Sequence, residues 1–467
     1  MTYFNPGTSC PDPLPYPMLS RREALALCLI FIVSLPAVTT RLYASDEIEY
    51  FSWLRSIAFD RNVDFQNEYQ YFYDAGVSRD PGFHETFLER TNEVGRRVNY
   101  ATPGPGLLWS PFYLIGHVVA IATGAPADGL SRPYIAAIAY GSAFYGFLAV
   151  LLSALVARRV LGHGLAASVI VAIGTPLLFY TYIAPGFGHA ASAFSVSLFV
   201  WIWIHVRSRW SVPGAIALGL SGGLMGFVRE QDVFLVIGPA VDFLGHAWRS
   251  LSASRAERTG NPLATAVAGA VAFLVAFAPL FVGYYALNGQ LGATDTAARK
   301  MDWSAPHAFS VLFDLEHGLF AWTPLAIVAL VGLVFLWRRD RGIAGVAIVM
   351  FAAQAYSSGS VDSWTVAGSF GQRRFIAITP LIVLGVAALL TYARAVWPRR
   401  AAIVVIGLCI WWNLGLMAQF GLNRMDRQKL TLADNARITF IELPLEAPAL
   451  AWRYLTDRES LYKLPRK

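Results

Sequence analysis

The sequence predicts an all-α polytopic membrane protein. Hydrophobic residues occupy 56% of the 467 positions and charged residues only 14%, whereas soluble globular proteins contain about 25% charged residues. Apolar runs of about 20 residues recur along almost the whole chain, and each can cross a hydrocarbon core about 30 Å thick. This composition excludes a disordered chain, a coiled coil and an ordinary soluble enzyme.

Eleven of these apolar runs are predicted to span the membrane. They are residues 24–43, 134–156, 165–183, 190–206, 214–228, 233–247, 263–287, 319–337, 343–356, 375–392 and 401–421. One further run, residues 107–123, is at the short end for a span and contains Pro111 and Gly116. It is predicted to be a juxtamembrane or re-entrant element that does not cross.

Short clusters of arginine fall in alternate loops between the predicted spans. They are Arg21/Arg22, Arg158/Arg159, Arg207/Arg209, Arg249/Arg255/Arg258, Arg338/Arg339/Arg341 and Arg394/Arg399/Arg400. Because short basic loops stay in the cytoplasm, we expect a cytoplasmic N-terminus and an external C-terminus in an inner (cytoplasmic) membrane. This distribution also accounts for the net charge of +7, so nucleic acid is not an expected partner.

Three regions follow from this topology. Residues 1–20 are rich in proline and are expected to form a loose cytoplasmic tail. Residues 21–421 form the membrane domain, and residues 422–467 a short external tail. The first external loop, residues 44–106, contains 11 acidic and 6 basic residues and many aromatic ones, a composition typical of interfacial amphipathic helices.

Three carboxylates, Asp46, Glu47 and Glu49, follow the first predicted span directly. Charged groups at the membrane boundary are costly unless they have partners or a function. A local role is also open, in which Asp46 caps the helix that follows and Glu49 completes a capping box. The two interpretations are compatible, since a capped helix fixes the direction of the carboxylate.

Four segments together suggest a family. An Asp46–Glu47 pair after the first span precedes a long aromatic loop, and residues 186–189 end in His189 before the fourth span. Residues 100–106 precede the second span, and residues 368–375 form a late loop that contains glycine and arginine. This layout resembles the GT-C superfamily of membrane glycosyltransferases, which includes protein O-mannosyltransferases and the lipid A aminoarabinose transferase.

The resemblance implies a function and several site residues. These enzymes transfer a sugar from a polyprenyl-phosphate carrier to an acceptor outside the cytoplasm, and the implied catalytic base is Asp46, with Glu47 beside it. His189 takes a position near the site where the family often has aspartate. Residues 100–106 match a stretch that binds lipid phosphate through Lys-Pro-Pro in some members, although this chain lacks the lysine.

The chemistry of such a transfer leads to the same residues. A base must deprotonate the acceptor hydroxyl, and cations must stabilise the phosphate leaving group, for which arginine offers a permanent charge and a fork of donors. Arg373 and Arg374, beside flexible glycines, and Arg229 are the predicted phosphate ligands; Arg96 and Arg97 are further candidates. A snorkelling or ion-paired side chain is the alternative for each.

The sequence leaves the role of Glu68, a metal requirement, the acceptor and two alternative functions open. Glu68 is a candidate for acceptor binding or for bracing the first loop. No metal-ligand spacing is present, and a divalent cofactor stays open. One carboxylate base suffices for an inverting transfer, and the acceptor could be a glycan, a lipid or a protein. The alternative functions are a polytopic transporter and an envelope protein that binds the lipid carrier without catalysis.

Overall fold

The computed structural model describes residues 19–78, 81–252, 261–294, 298–366, 368–396 and 399–462, and these residues form helices and loops without a β-strand. The helices are α1 (Arg21–Ser34), α2 (Ser45–Arg55), α3 (Gln66–Asp74), α4 (Pro81–Phe83), α5 (Gly104–Thr123), α6 (Arg132–Leu161), α7 (Leu165–Gly174), α8 (Leu177–Tyr182), α9 (His189–Val206), α10 (Val212–Val228), α11 (Ile237–Ser252), α12 (Pro262–Asn288), α13 (Ala308–Phe313), α14 (Leu319–Trp322), α15 (Leu325–Trp337), α16 (Arg341–Gly359), α17 (Thr379–Val396), α18 (Arg399–Gly421), α19 (Leu432–Arg437), α20 (Leu443–Thr456) and α21 (Arg458–Tyr462). Most of the predicted tail, residues 1–18, lies outside the described residues.

Seven helical segments of the described chain are long and apolar enough to cross a membrane. They are Gly104–Thr123, Arg132–Leu161, His189–Val206, Pro262–Asn288, Arg341–Gly359, Arg373–Tyr392 and Arg400–Gly421. Shorter apolar helices are present at Leu165–Gly174, Val212–Val228 and Leu325–Trp337. The polytopic helical architecture is therefore confirmed, whereas the count of eleven spans remains a prediction.

Proline divides three of the predicted spans. The run at 165–183 is broken at Pro176 into α7 and α8, and the run at 319–337 is broken at Pro324 into α14 and α15. The first run is helical only to Ser34, continues as a single 3-10 turn containing Pro36, and is extended from Val38. Proline lacks the backbone N–H that continues a helix and restricts the residue before it.

The basic clusters meet at one end of the helix bundle. Arg158, at the end of α6, pairs with Glu23 in the first turn of α1. Arg207, at the end of α9, lies 3.7 Å from Asp340, which precedes α16. Arg158 and Arg207 thus lie toward one end of the bundle, while residues 44–106 lie toward the other. Arg255 and Arg258 are outside the described residues.

The first external loop is a packed helical layer, as its composition predicts. Helices α2 and α3 and two π-helical segments surround an aromatic cluster whose side chains are almost completely buried; its largest members are Phe51, Trp53, Phe65, Tyr69 and Phe72. Arg55 ties the layer together through ion pairs with Glu68, at 3.0 Å, and Asp60. The loop therefore forms a rigid surface beside the outer ends of the membrane helices.

Helix α5 is one continuous helix of 20 residues that packs against this layer. A Cβ atom added at Gly106, near its start, would lie 3.3 Å from the Leu54 side chain of α2. The loop after α5 returns to the same helix, because the Arg55 guanidinium donates to the Asp128 carbonyl at 3.4 Å. Both flanks of α5 therefore contact α2.

Three glycines of α10 allow close contact with α12. A Cβ at Gly219 would lie 2.1 Å from the Gly269 carbonyl oxygen, and one at Gly223 would lie 2.4 Å from the Phe273 carbonyl oxygen. At Gly226 the nearest neighbour would be the Phe277 ring, at 2.8 Å. Such distances leave no room for a side chain, which confirms that these glycines serve helix packing.

Candidate active site

Asp46 lies in the first turn of α2, at the end of the bundle opposite the basic clusters. The helix begins at Ser45, and Ala44 before it is extended. The capping group is Glu47, whose Oε2 accepts the backbone N–H groups of Tyr43 at 2.6 Å and Ala44 at 3.1 Å. The predicted cap, with Asp46 at the N-cap and Glu49 closing the box, is wrong, because the helix starts earlier than that register requires.

Asp46 is free of this capping role and forms an ion pair with Arg373. Its Oδ2 lies 2.8 Å from Arg373 Nη1, and the two side chains are 39% and 18% exposed. Arg373 begins a 3-10 turn that follows Gly371, a residue with a positive φ of 62°. The pair joins the first and last external loops and leaves the carboxylate accessible from solvent.

Aromatic rings connect this pair to His189 and Arg229. The Arg373 guanidinium carbon lies 5.2 Å from the centre of the Phe187 ring, and Phe187 stacks on His189 with ring centres 5.8 Å apart. Arg229 Nη1 lies 3.1 Å from His189 Nδ1. A guanidinium group can only donate, so Nδ1 must accept, and the His189 ring is neutral with its proton on Nε2.

The second arginine of the late loop has a different environment. Arg374 is almost fully buried and donates to the Ser363 carbonyl at 3.1 Å and to the Ser358 carbonyl at 3.4 Å. It thereby holds residues 358–363 against the start of the following span. Arg229, Arg373 and Arg374 are all close enough to His189 to interact electrostatically with its ring, so three cations surround one neutral group.

Arg229 has no carboxylate within ion-pair distance among the described residues; its guanidinium bonds the neutral side chains of His189 and, at 3.4 Å, Gln231. Arg373 has one partner, the half-exposed Asp46. The site therefore contains two guanidinium groups with a single ion pair between them and the surrounding carboxylates. A phosphate could accept several charge-assisted hydrogen bonds there.

Glu47 and Glu49 are buried on the inner side of α2, which lies outside the predicted spans. Burial raises the pKa of each carboxyl to about 8. Glu49 accepts the Tyr100 backbone N–H at 2.6 Å, and a Cβ at Gly186 would lie 2.8 Å from Glu47 Oε1. Both carboxyls thus connect α2 to neighbouring loops. They are buried, whereas the Asp46 carboxylate is partly exposed to solvent.

The raised pKa values predict the pH dependence of stability. The folded protein keeps these protons up to about pH 8, whereas the unfolded chain releases them near the ordinary glutamate pKa, so stability should fall as pH rises between those values. Thermal unfolding in detergent from pH 5 to 9 should show a flatter profile for Glu47→Gln and Glu49→Gln. The exposed control Glu93→Gln should keep the wild-type slope, and an unchanged slope in the first two variants would contradict the assignment.

The other predicted site residues brace the first external loop. Glu68 is fully buried against Arg55. Arg97 Nε donates to Gln66 Oε1, and the Arg96 backbone N–H donates to Asn92 Oδ1 at 2.9 Å. These contacts favour the bracing role of Glu68 over acceptor binding.

The roles of two residues near the site are not predicted by any sequence pattern. Phe187 connects Arg373 to His189, and Lys300 lies with its Nζ 4.5 Å from the centre of the Tyr100 ring, close enough to Glu49 to interact with it. A backbone hydrogen bond fixes the position of Lys300, since the Asp362 N–H donates to its carbonyl at 2.8 Å. No local pattern marks either residue, because the partners are distant in the chain.

The described residues contain no group of three or more His, Cys, Asp or Glu side chains placed to hold a metal ion. Asp46, the most exposed of the three clustered carboxylates, is paired with arginine.

Comparison with known proteins identifies the fold. No protein-family model matches the sequence, and a search of curated proteins finds no match. Among solved structures, the crystal structure of ArnT from Cupriavidus metallidurans bound to undecaprenyl phosphate aligns with a TM-score of 0.51 at 16% identity, covering 94% of this chain and 72% of ArnT. The apo state of ArnT aligns with the same TM-score and coverage at 15% identity.

The alignment extends over nearly all of this chain. The chain is therefore a polytopic helical membrane protein with an ArnT-like fold.

Proposed function

We propose that this protein is a membrane glycosyltransferase that moves a sugar from a polyprenyl-phosphate carrier to an acceptor at the outer face of the membrane. The observation that carries the proposal is the half-exposed Asp46 carboxylate, paired with Arg373 and beside Arg229 and His189. A base and a phosphate site are thus adjacent at the outer end of a GT-C-like bundle. The undecaprenyl phosphate bound by ArnT supports this class of donor.

The donor phosphate would bind Arg373 and Arg229. Arg373 can turn its fork from one carboxylate to the two non-bridging oxygens of the donor phosphodiester. Arg229 forms no ion pair among the described residues, and its carboxylate neighbour in electrostatic reach is the buried Asp232. Two guanidinium groups would offset the charge that develops on the phosphate as the sugar leaves. Arg374 would hold the loop that presents Arg373, through its bonds to Ser358 and Ser363.

Asp46 would act as the general base in an inverting transfer. Its carboxylate takes the proton of an acceptor hydroxyl while that oxygen attacks the anomeric carbon of the sugar. The bond from this carbon to the phosphate oxygen breaks, and polyprenyl phosphate leaves with the electron pair. A single displacement needs one base and no carboxylate nucleophile, unlike the two-carboxylate mechanism of retaining glycosidases.

The ion pair connects donor binding to the base. While Arg373 bonds Asp46 at 2.8 Å, the carboxylate is a weaker acceptor for a hydroxyl proton, because the nearby positive charge stabilises its ionised form. A donor phosphate that recruits Arg373 would leave Asp46 with solvent and the acceptor. The arrangement favours binding of the donor before the acceptor is activated.

Room for the lipid tail is available near the site. An apolar cavity of about 440 Å³ lies between α9, α10, α11 and α12, and Phe199, Gly222, Val233 and Phe273 line it. Val233 follows Arg229 by four residues, within the 3-10 segment Glu230–Val236. A carrier with its phosphate on Arg229 could therefore place part of its isoprenoid chain in this cavity.

The proposed topology puts the site outside the cytoplasm. Arg158 and Arg207 lie toward the end of the bundle opposite Asp46. Helix α5 is long and apolar enough to cross, so the expectation that residues 107–123 do not cross stays a prediction. In a variant lacking the native cysteines, an impermeant thiol reagent added to intact cells should label Gln70→Cys in the first loop and leave Arg339→Cys unlabelled until the cells are opened. The reverse pattern would invert the orientation.

The test of the function is incubation of the purified protein with a panel of polyprenyl-phosphate sugars, scoring release of polyprenyl phosphate with and without candidate glycan, lipid and protein acceptors. A transferase releases the carrier from at least one donor and transfers its sugar. A transporter would move a solute without breaking the sugar–phosphate bond. A non-catalytic carrier-binding protein would bind a donor and release nothing.

A further inference from the structure

The exposed face of α20, in the C-terminal segment, is apolar along its whole length. Leu445, Trp452 and Leu455 have 81%, 70% and 79% of their surface exposed, and Pro448 is exposed with them. These positions follow the three- and four-residue spacing that places side chains on one face of a helix. A face of this kind in water would be a large exposed hydrophobic patch, which soluble proteins avoid.

The polar side chains of α20 are paired within the protein. Glu446 forms an ion pair with Arg424 at 2.7 Å, and Arg453 donates to Ser460 at 2.7 Å. The Tyr454 hydroxyl donates to the Ala37 carbonyl. The apolar face is therefore the part of the helix that has no partner within the described residues.

The residues before α20 run back along α18, a candidate span. The Asn435 amide donates to Gln419 Oε1 at 2.8 Å, and the Gln419 amide donates to the Asn435 backbone carbonyl at 3.1 Å and to the Thr439 hydroxyl at 2.8 Å. Further down α18, Trp411 Nε1 donates to the Thr439 carbonyl at 3.0 Å. Trp411 precedes the end of α18 by ten residues, which is roughly 15 Å along a helix.

The outer surface of α18 continues into this segment. Its exposed side chains, including Val404, Leu408 and Trp411, are apolar, and Phe440 and Ile441 extend the same exposed surface toward α20. Phe440 stacks on Trp412 with ring centres 6.2 Å apart. Whatever solvates the outward face of α18 must therefore also solvate α20.

We infer that residues 432–456 are not an aqueous tail but a membrane-surface element, with the apolar face of α20 immersed in lipid at the outer leaflet. Trp452 suits the headgroup region, where tryptophan is enriched. Interfacial helices bury an apolar face about 5–10 Å into the boundary between headgroups and acyl chains. We assign lipid as the partner of the apolar face of α20 because this face is continuous with the apolar outer face of the candidate membrane helix α18.

The element is also tied to the segment that leads to the candidate site. Arg458, just after α20, donates to the Ala37 carbonyl at 2.8 Å and to the Thr39 hydroxyl at 3.0 Å. Ala37 ends the 3-10 turn after α1, and Thr39 lies in the extended stretch that leads to Asp46. Lipid immersion of α20 would therefore help to fix the height of that stretch relative to the membrane surface, whether or not the site transfers a sugar.

The test is spin labelling of the full-length protein in lipid nanodiscs. Single cysteines replace Leu445, Leu455 and, as a control in the preceding loop, the exposed Lys429, in a background without the native cysteines. Collision with oxygen, which concentrates in lipid, and with a water-soluble nickel complex is measured at each site. We expect the oxygen-to-nickel ratio to exceed one at positions 445 and 455 and to fall below one at 429.

Two results would overturn the inference. A ratio below one at both helix positions would show that the face meets water. Low collision rates with both reagents, together with dipolar broadening between labels on separate molecules, would show that a second copy covers it. Each variant must first show the wild-type thermal unfolding profile, and the two helix positions serve as independent replicates if one substitution disturbs the fold.

Discussion

Asp46→Asn is expected to lower the sugar-transfer rate by about 10² to 10⁴, the usual cost of losing a general base. Asparagine keeps the shape of the side chain but cannot take the proton of the acceptor hydroxyl. The fold should tolerate the change, because Asp46 is half exposed and Glu47, not Asp46, caps α2. The measurement is transfer per amount of folded protein, with donor binding measured in parallel.

The control is Asp64→Asn, which removes another carboxylate of the first external loop. Asp64 is exposed and its Oδ1 accepts the Gln66 backbone N–H at 3.3 Å, a bond that asparagine can keep. This variant should retain wild-type transfer. Retention of donor binding by Asp46→Asn with loss of transfer would support catalysis over mere carrier binding.

An Asp46→Asn variant with transfer within about twofold of wild type, far from the loss expected for a base, would contradict the assignment. Glu47 and Glu49 would then be the next carboxylates to test. Both are buried, and burial raises the pKa of each to about 8. If neither substitution reduced transfer, the transferase proposal would fail.

Much of the fold could be predicted from the sequence because it depends on local composition. The apolar runs predict the membrane helices, and the aromatic acidic loop predicts the helical layer around Phe51 and Tyr69. In each case, burial of apolar groups or backbone contact follows from residues that are neighbours in the chain.

Other features could not be predicted because they depend on distant contacts. Asp46 and Arg373 come from opposite ends of the chain, and only the assembled bundle pairs them. The adjacent Arg374 differs from Arg373 because its neighbours are loop carbonyls. The capping residue of α2 could not be predicted because it depends on the residue at which the helix begins, and sequence patterns locate helix boundaries poorly.

The C-terminal segment shows the same limit. The alternation of arginine clusters predicts an external tail, but the Gln419 amide donates to the Asn435 backbone carbonyl and the Asn435 amide donates to Gln419 Oε1 in a buried contact. Glu446 is likewise paired with Arg424. Polar residues that are paired within the protein no longer indicate exposure to water, and only the structure shows which ones are paired.

Arg373→Ala is expected to weaken donor affinity roughly 10- to 100-fold, since hydrogen bonds to charged groups are worth about 1.5–3 kcal/mol. Arg373→Lys keeps the charge but loses the fork that binds two phosphate oxygens, so its loss should be smaller than that of alanine. Donor affinity is measured by titration with a polyprenyl-phosphate sugar and, separately, with polyprenyl phosphate alone.

The matched control is Arg90→Ala, which removes another external arginine that pairs with a carboxylate, Glu85. It should leave donor affinity unchanged, because that pair is exposed and such pairs contribute little to stability. The Arg373 variants also test the order of binding: without Arg373, Asp46 is unpaired before the donor arrives. If Arg373→Ala bound both ligands as tightly as the wild type, the phosphate would have to lie elsewhere, and Arg229 beside His189 would be the remaining cation to test.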